Sequence, residues 1–156
     1  MGATAEPVAE VPDGGSAGHT PFIHRLRVRY AECDPQGVVF NAQYLAFADH
    51  ALTELWRELF GGYGQMLAHG VDIVVAEARL RFHAPARFDE ELDVAINVGH
   101  LGTTSMTLHD AVTRVADGET LAEVELRYVW VRRSSGEKTP VPGWARGPLA
   151  RLRVPG

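Results

Sequence analysis

Residues 42–60 read AQYLAFADHALTELWRELF, and the apolar residues in this stretch recur with the spacing of an α-helix. One stripe consists of Leu45, Ala48, Leu52, Leu55 and Leu59, and it is widened by Tyr44, Phe47, Ala51 and Trp56. An apolar face this wide, sustained over roughly five turns, indicates a helix covered by a sheet rather than one lying at the surface. We predict one long helix from residue 42 to about residue 60, with Asn41 as N-cap and Gly61 as its end.

The stretches on either side of this helix have the pattern of strands. Residues 22–30 alternate, with Leu26, Val28 and Tyr30 on one face and arginines on the other. Four more strands are predicted after the helix, at residues 71–82, 91–100, 105–115 and 120–133. Because short turns join them, we expect one antiparallel sheet of about five strands that curls around the helix, an α+β fold. This order excludes the parallel βαβ folds that bind nucleotides.

Composition limits the possible functions further. The chain has 156 residues, of which 46% are apolar, enough for one domain with its own core. A net charge of −5 argues against a nucleic-acid partner. No run approaches the ~18 apolar residues of a membrane span, so we expect no membrane insertion. A single cysteine, Cys33, excludes a disulfide framework within the chain, and we expect a cytoplasmic protein.

The two ends of the chain differ from the middle. Residues 1–20 lack apolar periodicity and carry acids without Lys or Arg, so we predict a disordered N-terminal tail. Residues 21–156 then form a single domain. From about residue 139 the chain is rich in Pro and Gly, which predicts an irregular C-terminal tail anchored by Trp144.

Residues 34–44, DPQGVVFNAQY, place a carboxylate at a strand end, then a turn, then the start of the long helix. The first N–H groups of a helix have no partner inside it, so they can stabilise the charge on a carbonyl oxygen during attack. Asp34 could attack that carbonyl or remove a proton from water. Alternatively, Asp34 only caps its own turn, and the residues alone leave both interpretations open.

Other catalytic arrangements are missing from the sequence. The seven histidines show no close spacing of metal ligands, and no His-Glu-x-x-His is present. No Gly-x-Ser-x-Gly motif occurs either. We therefore expect neither a metal site nor a bound cofactor.

The stretch RVRYAECDPQGVVFNAQY, residues 27–44, resembles the signature of the 4-hydroxybenzoyl-CoA thioesterase family of hotdog-fold proteins and of its tol-pal-associated acyl-CoA thioesterase branch. Residues 82–89, FHAPARFD, and 102–105, GTTS, resemble further parts of the same family. The resemblance covers about residues 23 to 133 and implies the hotdog fold, a long helix wrapped by an antiparallel sheet.

The resemblance also implies roles for particular residues. Asp34 matches the catalytic aspartate, the nucleophile or general base. Asn41 matches the residue whose backbone N–H polarises the thioester carbonyl. Other branches have His or Tyr at this position, so no side-chain role for Asn41 is implied. The substrate-binding residues that we expect are Gly37, Val38, Tyr44, Phe47, His50, Glu77, Thr103 and Thr104.

Family members form homodimers or homotetramers with sites shared between chains, and CoA enters as part of the substrate. Those acting on CoA often carry Arg or Lys just before the fourth strand to meet its phosphates. Here residues 99–104 read GHLGTT, without a permanent positive charge. Arg132 and Arg133 at the end of the last strand could take the place of these cations, because a guanidinium binds phosphate through two hydrogen bonds. Alternatively, the substrate is a thioester of a carrier protein, which brings fewer phosphates than CoA.

We therefore predict an acyl-CoA or aroyl-CoA thioesterase. The alternatives are an acyl-carrier-protein thioesterase and a non-catalytic hotdog protein that binds acyl thioesters. A buried charge such as Asp34 would bring little to a pure binder. A hotdog hydratase is a further alternative, but residues 34–44 lack the histidine that it needs.

Overall fold

An antiparallel sheet of five strands curls around one long helix in the computed structural model, which describes residues 19–155. The strands are β1 (Phe22–Arg27), β2 (Val71–Phe82), β3 (Glu91–Leu101), β4 (Ser105–Arg114) and β5 (Thr120–Arg132). The helices are α1 (Gln43–Phe60), α2 (Tyr63–Ala68) and α3 (Gly143–Ala150). The predicted N-terminal tail lies almost wholly outside the described residues.

The strands follow the order β1-β3-β4-β5-β2, so β1 and β2 form the two edges of the sheet. Alternate residues of β3 point inward and are buried, from Leu92 to Val98. The stripe on α1 packs onto this inner face, with Ala48 and Leu55 fully buried. Each fully buried aliphatic side chain of the size of leucine contributes roughly 1.5–3 kcal/mol to folding, so this layer dominates the stability of the domain.

The predicted fold class is confirmed. The long helix begins at Gln43, one residue later than expected, and ends at Phe60. All four later strands lie within one residue of their predicted bounds. In the part of the chain that the structure describes, no helix is long and apolar enough to cross a membrane.

Two local predictions about the first strand and the helix start were wrong. The strand ends at Arg27, and a 3₁₀ turn at Tyr30–Glu32 rotates Tyr30 outward, leaving it 83% exposed. The N-cap of α1 is Ala42, and no side chain caps this end. Asn41 therefore lies one residue before the cap.

The sequence interpretation also missed two short helices. We expected an irregular chain after residue 139, but α3 forms there and buries Ala145 and Leu149. These residues are four apart, so one helical turn brings both against the sheet despite the surrounding prolines. Trp144 does anchor the segment, because its ring packs against those of Phe60 and Trp130.

One buried residue of β4 is acidic. Asp110 faces inward with Leu108 and Val112, opposite Ile96 of β3 and Val124 of β5. Its Oδ1 atom has no hydrogen-bond partner among the described residues. Burial raises the pKa of Asp110 from 3.8 to about 8, so the native protein holds it as the neutral acid at pH 7.

Replacing Asp110 by Asn removes this titration. The wild-type acid must stay protonated in the native state while it ionises in the unfolded chain, so wild-type stability falls as the pH rises from about 4 to about 8. We expect the unfolding free energy of Asp110→Asn, measured relative to that of the wild type, to rise by about 1.4 kcal/mol per pH unit across this window. Urea unfolding at several pH values measures it, with Glu58→Gln on the exposed surface as control. A difference that does not change with pH would contradict the buried neutral acid.

Candidate active site

The segment after β1 folds into a short hairpin. Cys33 and Val39 pair across it, and the Asp34 N–H donates to the Val38 carbonyl at 2.9 Å. Pro35 fixes one φ angle of the turn, and Gly37 adopts a φ of +77° that other residues rarely accept. The sequence thereby places Asp34 at the base of a tight turn.

The Asp34 carboxylate is half-buried and held in one orientation. Its Oδ1 accepts the N–H of Gln36 at 2.8 Å, so the capping interaction considered above does form. Its Oδ2 has no hydrogen-bond partner in residues 19–155. One oxygen therefore fixes the side chain, and the other remains for a substrate or a water molecule.

The hairpin rests on the turn between β2 and β3. The Val39 N–H donates to the Ala86 carbonyl at 2.9 Å, and Val38 forms a bridge with Arg87. The hydroxyl of Tyr44, in the first turn of α1, accepts the Ala86 N–H at 3.2 Å. Two sequence stretches that carried the family resemblance thus meet in space.

The N-terminus of α1 follows the hairpin directly. The backbone N–H groups of Asn41 and Ala42 donate to no acceptor within the described part of the chain. The first turn also contains no acidic side chain to neutralise the helix dipole. Free N–H donors at a positive helix end are suited to bind a carbonyl oxygen that gains negative charge.

The other predicted binding residues fall into separate places. Gly37, Val38 and Tyr44 belong to the hairpin region described above. Phe47 and His50 line a groove between α1 and β1, where the His50 ring lies 4.4 Å from that of His24.

Three predicted residues lie away from both places. Glu77 lies on the β2 edge and pairs with Arg79 at 3.1 Å. Thr103 and Thr104 lie in the turn between β3 and β4, at the opposite end of the sheet from the hairpin. The single chain therefore does not bring all the predicted residues together.

A cleft that the sequence did not predict opens between α1 and the β2 edge. Its volume is about 280 Å³, and it is lined by Asp49, Leu52, Thr53, Trp56, Tyr63, Ile73, Val75 and Tyr128. A cleft with aromatic walls and a few polar groups is typical of a small-molecule site. Asp34 does not line it.

Both phenols in the cleft are held protonated. The Tyr63 hydroxyl donates to Asp72 Oδ1 at 2.7 Å, and this bond, with burial, raises the pKa of Tyr63 to about 12. Burial raises the pKa of Tyr128, and the charges of Asp110 and Asp49 add to the effect. The Tyr128 hydroxyl donates to no described residue, so it is free to donate to a ligand.

One signal for this cleft was present in the sequence. Asp49 and Thr53 are four residues apart and thus share one side of α1 beside the apolar stripe. Tyr63 and Tyr128 carried no such signal, because only the sheet order brings α2 and β5 together. Within residues 19–155, no group of three or more His, Cys, Asp or Glu is arranged to hold a metal ion.

The family model described as the thioesterase-like superfamily matches residues 28–149. The chain belongs to this superfamily. It is 31% identical over 112 residues to the acyl-CoA thioester hydrolase YbgC of Escherichia coli O157:H7, covering 72% of this chain and 83% of that protein. These findings confirm the predicted family.

Solved structures share the fold. The dynemicin thioesterase matches with a TM-score of 0.81 and 26% identity, over 87% of this chain and 99% of that one. The Thermus thermophilus protein TT1821 matches with a TM-score of 0.76 and 30% identity, over 84% of this chain and 98% of that one.

Tyr44→Phe tests how the hairpin is supported. The variant leaves the N–H of the fully buried Ala86 without an acceptor, so we expect a loss of about 1–3 kcal/mol in unfolding free energy. Tyr63→Phe is the matched control, because its hydroxyl bonds a carboxylate near solvent and its removal should matter less. Equal losses in the two variants would contradict this role of Tyr44.

Proposed function

We propose that the chain hydrolyses acyl-CoA or aroyl-CoA thioesters, with Asp34 and the α1 N-terminus performing the chemistry. Membership of the thioesterase-like superfamily and the similarity to YbgC support the thioester hydrolase class. The single observation that carries the site is the free Oδ2 of Asp34 in a hairpin that leads directly into the unpaired N–H groups of Asn41 and Ala42.

The chemistry follows from these groups. The thioester carbonyl oxygen accepts the Asn41 and Ala42 N–H groups, which stabilise the oxyanion as the carbon becomes tetrahedral. In one course, Asp34 attacks this carbon, the C–S bond breaks to release the thiolate, and water hydrolyses the resulting anhydride. In the other, Asp34 removes a proton from a water molecule that attacks directly. Both courses need the same carboxylate, and both release the free acid and the thiol.

A second copy of the chain completes the site in this proposal. The edge strand β2 pairs only with β5 among the described residues, and Val74 and Val75 are about half exposed on it. Such an edge is open to pairing with a second copy through a two-fold axis. We therefore propose a homodimer, which a homotetramer would contain twice.

Antiparallel pairing of two β2 strands would bring the hairpin of one chain near the cleft of the other. The hairpin lies at the Phe82 end of β2, because Tyr44, which supports the hairpin, packs against Phe82 with the two ring centroids 5.4 Å apart. The cleft lies at the other end, where Ile73 and Val75 contribute to its wall. A two-fold axis between the two β2 strands places the Phe82 end of one strand beside the Val71 end of the other. A thioester bound at the hairpin of one chain would therefore extend its acyl group into the cleft of the partner subunit.

The alternatives are a carrier-protein thioester as substrate and a binding protein without catalysis. The similarity to YbgC, named as an acyl-CoA thioester hydrolase, favours CoA over a carrier protein. The fixed Asp34 carboxylate favours catalysis over binding alone. The lone, unpaired Cys33 favours the cytoplasm as the location.

Asp34→Asn tests the chemistry. We expect kcat on acyl-CoA to fall at least ~100-fold with little change in substrate affinity, because a positioned acid–base group is lost while the turn can still form. Release of free thiol from a panel of aliphatic and aromatic acyl-CoAs measures this. Asp89→Asn, an exposed carboxylate in the turn after β2, is the control. Near-normal turnover by Asp34→Asn would remove this residue from the mechanism.

Val74→Glu tests the dimer. A charge on Val74, which is 47% exposed on the β2 edge and does not line the cleft, should block strand pairing without disturbing the core, giving monomers with little activity. Val154→Glu, at 51% exposure, is the matched control and should remain dimeric and active. Light scattering with gel filtration measures the mass. A Val74→Glu variant that is dimeric and fully active would contradict pairing through β2.

A further inference from the structure

Arg114, the last residue of β4, pairs with three carboxylates. Its Nη1 atom donates to Asp117 at 2.8 Å and to Glu119 at 2.9 Å, and its Nε atom lies 2.5 Å from Oε2 of Glu90. Within residues 19–155, no other cation pairs with more than two carboxylates. The Arg114 side chain is only 16% exposed. A network of several charges around one half-buried guanidinium holds its members far better than an isolated surface pair does.

A further interaction of Arg114 reaches the turn between β2 and β3. Its Nη2 atom donates to the Pro85 carbonyl at 3.1 Å. Glu90 extends the contact, because its Oε1 atom accepts the Arg87 N–H at 2.5 Å. The two neighbours of Ala86 in the chain are therefore both held, Pro85 by Arg114 directly and Arg87 through Glu90.

Ala86 is the residue at which this turn meets the candidate site. It is fully buried, its carbonyl accepts the Val39 N–H of the hairpin, and its N–H donates to the Tyr44 hydroxyl of α1. The charges of Arg114 and Glu90 act at the same place. Burial raises the pKa of Tyr44, and the charge of Glu90 adds to this effect while that of Arg114 opposes it. Ala86 thus joins the hairpin to the first turn of α1, and the two charged residues fix it from both sides.

The turn needs such support, because one of its residues has an unfavourable backbone conformation. Asp89 has a φ of +68°, the only positive φ of a non-glycine residue in the described part of the chain. This conformation costs roughly 1–2 kcal/mol and persists only where the surroundings hold it. Arg27 holds one side, since its Nη1 donates to the Asp89 carbonyl at 2.7 Å. Arg114 and Glu90 hold the other, so without them the turn is free to relax and to shift the hairpin that rests on it.

We infer that Arg114 is a positioning residue for thioester hydrolysis: with Glu90, it fixes the turn on which the hairpin of Asp34 rests. The inference rests on the proposed function, because it concerns the alignment of the groups proposed to perform the chemistry. Attack on the thioester needs the Asp34 carboxylate and the N–H groups at the start of α1 in a fixed relation, and a misplacement of about 1 Å can cost ~100-fold in rate. Arg114 acts on this alignment and not on the binding of substrate, so its loss should lower kcat and leave KM unchanged.

The kinetic test compares variants within this one cluster of charges on the same acyl-CoA. We expect Arg114→Gln and Glu90→Gln each to lower kcat about tenfold with KM unchanged, because both release the turn. Arg114→Lys keeps a positive charge among the three carboxylates but lacks the planar fork, so it should stay folded and also lose kcat. Glu119→Gln is the matched control. It too removes a carboxylate from Arg114, but the turn stays held, so we expect kcat to be unchanged.

Hydrogen exchange tests the same alignment without any turnover. The Val39 amide is bonded to the Ala86 carbonyl, so it should exchange about tenfold faster in Arg114→Gln and Glu90→Gln than in the wild type. Exchange of core amides in β3 should be unchanged in both variants. In Glu119→Gln, the Val39 amide should exchange as in the wild type.

Three results would overturn the inference. An equal loss of kcat in Glu119→Gln and Arg114→Gln would show that any weakening of the cluster lowers activity. Faster exchange throughout the core would show a general loss of stability in place of positioning. Normal kcat in Arg114→Gln and Glu90→Gln, with Asp34→Asn inactive, would overturn this inference alone. Full activity of Asp34→Asn, with faster Val39 exchange in Arg114→Gln, would instead overturn the proposed function and leave the support of the hairpin by Arg114 standing.

Discussion

The packing of α1 against the inner face of the sheet is the constraint on which the rest of the structure depends. The helix is 18 residues long, or roughly 27 Å, and its buried stripe contacts β1, β3 and β5. Its first turn supports the hairpin of Asp34 through Tyr44, and its later turns line the cleft through Asp49 and Thr53. One rigid element thus sets the positions of both regions of the proposed site, and small residues such as Ala48 and Ala51 let the sheet approach it closely.

In the proposed site, the groups for chemistry and the cleft for the acyl group lie at different ends of β2 within one chain. The hairpin segment holds the Asp34 carboxylate and leads into two free N–H groups. The cleft has apolar walls, two phenols and the carboxylate of Asp49. The proposed antiparallel pairing at β2 would bring the two together, because a two-fold axis places the Phe82 end of one β2 strand beside the Val71 end of the other.

The fold was predictable because its signals are local. The helical period of residues 42–60 and the alternation in the later strands each follow from neighbouring residues, and the observed bounds differ by a residue or so. The short helices were missed for the opposite reason. In α3, Pro142 and Pro148 argue locally against a helix, and the packing of Trp144 and Leu149 on distant residues outweighs them.

The residues of the candidate site were likewise predictable where they are close in sequence and missed where only the fold brings them together. Asp34 and Asn41 lie in one continuous stretch, so their spacing alone placed a carboxylate before a helix N-terminus. Arg114 is 29 residues from Pro85, and only the folded chain shows that its guanidinium reaches the turn between β2 and β3. Asp110 is a similar case, since an acidic residue in a strand gives no sign of facing the core until the register is known.

The most direct test is to mix two inactive variants, Asp34→Asn and a variant such as Thr53→Phe that fills the cleft. If each site combines the hairpin of one chain with the cleft of its partner, the mixed dimer has one intact site. Random reassembly of equal amounts should then restore about a quarter of the wild-type thioesterase activity. No recovery, despite mixed dimers seen by mass spectrometry, would show that hairpin and cleft act within the same chain and would contradict the shared site.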